Sequence, residues 1–121
     1  MENNMTYGPY SPAIRGGDYI FVSGQIGFSD SKTGSDLEGI EAQTKHCLKN
    51  MNAVLASVGA SLRDVVKVTV FLRNIDDFDK MNEVYASYFL DRKPARSTII
   101  TGLINPKMLS EIECLAYCPI K

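Results

Sequence analysis

Residues 64 to 72, DVVKVTVFL, limit most sharply what this chain can become. Apolar and β-branched residues run through the stretch almost without a break, which suits a central strand rather than an exposed edge. The rest of the chain must therefore pair with this strand and cover it.

Candidates for that pairing stand on both sides. Ala13 to Arg15 reads as a short strand, Gly16, Gly17 and Asp18 permit a tight reversal, and Tyr19 to Ser23 is an aromatic and β-branched strand. Together they predict a hairpin, preceded by an irregular arm up to Pro12. Residues 27 to 36, GFSDSKTGSD, have the composition of a loop. From Ile40 the period changes: Ile40, Thr44, Cys47, Leu48, Met51, Val54, Leu55 and Val58 recur at helical spacing, and Gly59 ends the run as a cap. A second helix starts behind Asn74 to Asp77, with Phe78, Met81, Val84, Tyr85, Tyr88 and Phe89 as its apolar stripe. Pro94 disfavours helical backbone at Lys93 and stops it. Thr98 to Thr101 is a fourth strand, entered through Arg96, and Glu111 to Tyr117 is a fifth.

The order β-β-α-β-α-β-β over 121 residues predicts one α+β domain spanning 1–121, its two helices packed on one face of a sheet. Two helices cannot cover both faces. Since the strands are apolar on both sides, the bare face would be a large exposed patch, and self-association is the simplest cover.

Charge narrows the partners. Thirteen basic and 14 acidic residues leave a net charge of −1 with no run of one sign, which disfavours nucleic acid. No apolar run approaches the ~18 residues that cross a bilayer, and the first residues carry no signal-peptide core. Cys47, Cys114 and Cys118 are odd in number and lack C-x-x-C spacing, which reads as reduced thiols in a cytoplasmic protein.

Most familiar catalytic constellations are missing. His46 is the only histidine and falls on the first helix, where a solvent-facing position is the simpler reading. One histidine and scattered cysteines assemble no known zinc site, and no glycine-rich phosphate loop precedes a helix. Neither metal nor organic cofactor is expected. Three groups remain: Arg96; Glu111 with Glu113, on one face of the last strand; and Tyr10 together with Ser23, Gly24 and Gln25, where a strand runs into a loop. A guanidinium matches a carboxylate bidentately, while a glutamate can orient water or exchange protons. Residue types and spacing leave Arg96 equally open to two readings, an anion clamp or a tether to a glutamate on a neighbouring strand.

These segments resemble the RidA family, also called the YjgF family. The motifs run in order: GPYSPA at 8–13, FVSGQI at 21–26, QTKHCLKNMNAVLASVGAS at 43–61 and DVVKVTVFL at 64–72, then DFDKMNEVYASYF at 77–89, KPARST at 93–98 and EIECLA at 111–116. The resemblance implies a chorismate-mutase-like fold and a homotrimer that buries the open sheet faces in a barrel-like core, with ligand clefts between adjacent subunits. It implies hydrolysis of reactive 2-enamine and 2-imino acids, such as 2-aminoacrylate, 2-iminopropanoate and 2-iminobutanoate, to 2-keto acids and ammonia without a cofactor.

Residue by residue, Arg96 matches the family arginine that holds the substrate carboxylate, and Glu111 the glutamate that positions water. Tyr10, Ser23 and Gly24 match pocket positions. Thr98 stands where many relatives carry a cysteine, so a thiol nucleophile is not required, and Asn82 falls near a position sometimes found around the cleft. Pro12 and GFSDSKTG at 27–34 depart from the common pattern beside the entry loop and bear on substrate size, and the lid segment TGLINPKMLS at 101–110 departs from it as well. Two other roles described in the family are the alternatives: ribonuclease-type translation inhibition, and non-catalytic binding of small acids by a chaperone-like trimer.

Overall fold

The computed structural model describes residues 8–27 and 39–121. The expected 27–36 loop, apart from Gly27, and the first part of the N-terminal arm lie outside the described residues. Strands β1 (Ala13–Gly16) and β2 (Tyr19–Ile26) form the predicted hairpin, with Ile14 opposite Phe21. Helix α1 (Gly39–Ser57) leads through a short 3-10 turn into β3 (Val65–Leu72). Helix α2 (Phe78–Tyr88), β4 (Ala95–Ile100) and β5 (Ser110–Tyr117) complete the chain.

The cap at the end of α1 accounts for its abrupt stop. Gly59 adopts φ +83°, which costs a residue without Cβ little. This lets Ala60 N–H donate to Leu55 O at 2.9 Å and Gly59 N–H to Ala56 O at 3.2 Å. That is the paired hydrogen-bond pattern of a Schellman cap, and Leu55 and Ala60 are both buried behind it.

The five strands lie in the order β1-β2-β5-β3-β4. Neighbours run antiparallel except β3 and β4, which are parallel and joined through α2 as a crossover requires. The DVVKVTVFL strand is indeed interior, paired on one side with β5 and on the other with β4. Ile20, Val22, Val68, Val70, Leu72, Ile112, Cys114 and Ala116 share one sheet face and are buried. From the two helices, Leu48, Met51, Leu55, Met81 and Tyr85 complete the same core.

The opposite face is open. Tyr19, Phe21, Ile99 and Tyr117 are 42%, 52%, 45% and 46% exposed, with Ile14 beside them on the β1 edge at 58%. These large apolar residues are left exposed on a face that also carries Lys67, Thr69, Glu111 and Glu113, so the expectation of a sheet face uncovered by the helices holds.

Two boundaries differ from the sequence expectation. β4 begins at Ala95 rather than Thr98, because pairing with β3 already starts at Lys67 and Ala95. Arg96 is thus inside the strand opposite Val68, not at its mouth. Ser23 and Gly24 do not end β2 but form an irregularity within it, where register with β5 shifts between Val22 and Gln25.

Candidate active site

The residues singled out from sequence fall into two groups on opposite faces of the sheet. Arg96 and Thr98 register with Val68 and Val70, both fully buried, so they belong to the helix-covered face. Glu111 and Glu113 register with Phe71 and Thr69 and belong to the open face. Strand β3 separates β4 from β5. An Arg96–Glu113 tether between neighbouring strands of one chain is therefore ruled out by topology and by face.

Around Arg96 the chain forms a cleft of about 300 Å³ lined by Asn82, Tyr85, Phe89, Lys93 and Pro94 with the guanidinium itself. Arg96 Cζ stands 4.7 Å from the centroid of the Tyr85 ring and 5.8 Å from that of Phe78. Phe78, Asn82, Tyr85 and Phe89 follow one another at helical spacing, which puts them on one stripe of α2 and its C-terminal end. Aromatic faces attract the cation without consuming its five N–H donors. The buried Tyr85 hydroxyl and Asn82 Oδ1 have no hydrogen-bond partner among the described residues. Burial pushes the Tyr85 phenol above its ordinary range, and the Arg96 charge opposes that rise. A guanidinium beside buried polar atoms that have no hydrogen-bond partner among the described residues can bind a small anion that also carries hydrogen-bonding groups. Thr98 lies two residues along the same face, outside the cleft lining.

The second group gathers where β2 is irregular. Gly24 faces the Glu111 side chain so closely that a Cβ there would overlap its carboxylate. Only glycine lets the two strands bring that carboxylate in. Ser23 ties down the arm that carries Tyr10: its N–H donates to Pro12 O at 2.9 Å and its hydroxyl to Ser11 O at 2.6 Å. Tyr10 is 46% exposed at this end of the molecule. Burial, reinforced by the neighbouring Glu113 charge, pushes the Glu111 carboxyl above its ordinary range. Such a group can hold a water and exchange protons with it nearer neutrality than a free glutamate.

Sequence reading passed over the braces of this region. Gln43 is buried on α1, donating through Nε2 to Lys107 O at 3.0 Å and accepting from Leu109 N–H at 2.8 Å. Arg73 donates to Met108 O at 2.6 Å and Asn105 O at 2.8 Å. Between them they fix the segment that delivers Ser110 and Glu111 into β5. A polar residue within the buried stripe of α1 was the available signal for Gln43. His46 is half-buried on α1, and Cys47 and Cys114 are buried in the core. Among the described residues no group of acidic, histidine and cysteine side chains is placed to hold a metal ion.

Fold and site together define a small α+β domain with an arginine-floored cleft at the sheet edge. The sequence profile of the family described as Endoribonuclease L-PSP matches residues 1–118. A RutC family protein of Pyrococcus horikoshii is 49% identical over 111 residues, 91% of this chain and 87% of that one. Reactive Intermediate Deaminase A of Arabidopsis thaliana, a chloroplastic protein, is 40% identical over 109 residues, 90% of this chain and 58% of its own length. The 3-aminoacrylate deaminase RutC of Acinetobacter baylyi is 35% identical over 109 residues, 90% of this chain and 86% of that one.

Solved structures agree. RidA from an Antarctic Psychrobacter superposes with a TM-score of 0.86 at 33% identity, covering 95% of this chain and 94% of that one. TdcF of E. coli, solved with bound serine, gives 0.83 at 31%, covering 93% and 90%. The chain belongs to the RidA (YjgF) family. No helix among the described residues is long and apolar enough to cross a membrane.

Proposed function

We propose that this protein hydrolyses reactive 2-enamine and 2-imino acids to 2-keto acids and ammonia, in clefts completed by neighbouring copies of a homotrimer. The observation that carries the reading is the Arg96 guanidinium, held over the Tyr85 ring in a cleft sized for a small acid. Relatives named as deaminases of reactive intermediates and of 3-aminoacrylate support the reaction class, and serine bound to TdcF supports an amino-acid-sized ligand.

Chemically the residues divide the work. Arg96 binds the substrate carboxylate through its planar fork, which a lysine cannot reproduce. Protonation at carbon carries an enamine to its imine. Water then adds to C2 of the imine, with Glu111 taking a proton from it as the C–O bond forms. The carbinolamine expels ammonia once its nitrogen receives a proton, and the C2–OH becomes the keto group. Imine plus water gives keto acid plus ammonia, with no change of oxidation state and no cofactor required. Tyr10, Ser23 and Gly24 wall the water side and Asn82 the substrate side, with Thr98 next along the strand beyond the cleft lining.

Arg96 and Glu111 face away from each other across one sheet, so one cleft holding both takes them from two chains. The exposed apolar face supplies the association, three copies burying it in a shared core. RNA cleavage, the activity that the family description Endoribonuclease L-PSP names, is less well served by a net charge of −1 and a single histidine.

A threonine dehydratase coupled to this protein tests the reading through the rate of 2-oxobutanoate formation. Wild type accelerates it. Arg96→Ala and Arg96→Lys each lose on the order of 3 kcal/mol of transition-state stabilisation, more than a hundredfold in rate. Equal rates for wild type and Arg96→Ala contradict the proposal.

A further inference from the structure

We propose that Tyr85 is a positioning residue for Arg96: its ring carries the guanidinium and sets how the N–H donors meet the cleft. The inference deepens the reading of Arg96 as the carboxylate clamp and rests on it.

An arginine side chain on an edge strand is long and flexible, and a clamp needs it held in one orientation before the ligand arrives. Here two rings stand against the charge, Tyr85 closer at 4.7 Å than Phe78 at 5.8 Å. The two rings differ in stiffness. Phe78 opens α2 and is 37% exposed, whereas Tyr85 lies well inside the helix and is 6% exposed. Its ring also packs against Phe89, centroid to centroid 4.8 Å. The platform is thus set by the core, while the guanidinium it supports faces the cleft.

A core filler would need only bulk at this position. A tyrosine brings an electron-rich face for the cation and a buried hydroxyl on the Arg96 side of the core. The positioning role belongs to the ring, so phenylalanine should preserve it and leucine, apolar but without a π face, should not.

The test follows the Arg96 Nε–H signal by ¹⁵N relaxation in wild type, Tyr85→Phe, Tyr85→Leu and Met81→Ala. Met81 is fully buried on the same helix and serves as the control for general loosening. An ordered Arg96 Nε–H is expected in wild type, Tyr85→Phe and Met81→Ala, and a mobile one in Tyr85→Leu. In parallel, 2-oxobutanoate should bind Tyr85→Leu about tenfold more weakly, as loss of a desolvated cation–π contact implies, with KM rising more than kcat falls. An Arg96 that stays ordered in Tyr85→Leu, or is loosened as much by Met81→Ala, overturns the proposal. If the ring controls Arg96 order but wild type binds no 2-oxobutanoate, the positioning role stands and the deaminase reading falls.

Discussion

Arg96 and Glu111 sit on opposite faces of the same sheet, with β3 between the strands that carry them. Strand spacing of about 4.8 Å puts β4 and β5 roughly 10 Å apart, and their side chains diverge from there. A monomer therefore presents two half-sites: a cation with a binding cleft on one side, and a carboxylate beside an irregular strand on the other. For both to act in one cleft, as proposed, two chains must supply them.

Glu111→Gln separates catalysis from stability. Removing the proton acceptor should lower kcat/KM by about 10² to 10⁴-fold. In the wild type, kcat/KM should rise with pH through a value above the usual glutamate range, since the ionised form is the base. Stability runs the other way. A folded-state pKa above the unfolded one means the native state holds the extra proton, so stability falls as pH climbs from the ordinary carboxylate pKa through the raised one. Urea unfolding at fixed protein concentration should show Glu111→Gln gaining on wild type between pH 4 and pH 7. A constant difference would remove the proposed destabilised carboxylate.

Two glycine substitutions in β2 and just after it should behave differently. A Cβ at Gly24 meets the end of the Glu111 side chain, which can swing aside. Gly24→Ala should cost little stability but at least about tenfold in kcat/KM, the order of effect expected when a catalytic group is misplaced. A Cβ at Gly27 would lie 2.6 Å from Gln43 Cα and 2.7 Å from its carbonyl oxygen, where backbone must move. Gly27→Ala should therefore lower the urea midpoint clearly, by about 2 kcal/mol or more, since overpacking that forces backbone shifts costs at this level. Equal midpoints for the two variants would contradict this assignment of the contacts.

Thiol chemistry offers a check on the core. Burial pushes the Cys47 thiol up to about 12, and burial with the Glu113 charge does the same for Cys114. Both stay protonated and shielded at neutral pH. Cys118 is half-buried, its thiol 3.7 Å from Gly59 O. Titration of the native protein with Ellman's reagent should give one fast equivalent, and all three cysteines only in denaturant. Fast reaction of Cys114 would show that its strand face opens.

Much of this architecture is visible in the residues themselves. The stripe from Ile40 to Leu55 and the unbroken run of β3 report their elements through period and composition, and Gly59 marks where α1 stops. The pairing of Glu111 with Glu113 on one face follows from strand alternation alone. What escaped is the side of the sheet on which Arg96 stands. That depends on where β4 begins and how it registers with β3, and a one-residue slip reverses every side chain. Strand order is equally hidden, because β5 inserts between β2 and β3 through contacts distant in sequence. Tyr85 reads as one more apolar stripe residue until Arg96 is seen resting on it. Gln43 does useful work only once the 105–109 segment folds over it.

Subunit complementation tests the central claim most directly. Arg96→Ala and Glu111→Gln chains, each inactive alone, are unfolded together in equal amounts and refolded as mixed trimers. Where each cleft joins Arg96 of one chain to Glu111 of the next in a closed ring, random assembly restores both residues in about a quarter of the sites. Keto-acid formation at about a quarter of the wild-type rate is the predicted result. A mixture as inactive as its two components would show that Arg96 and Glu111 do not act in one cleft shared between chains.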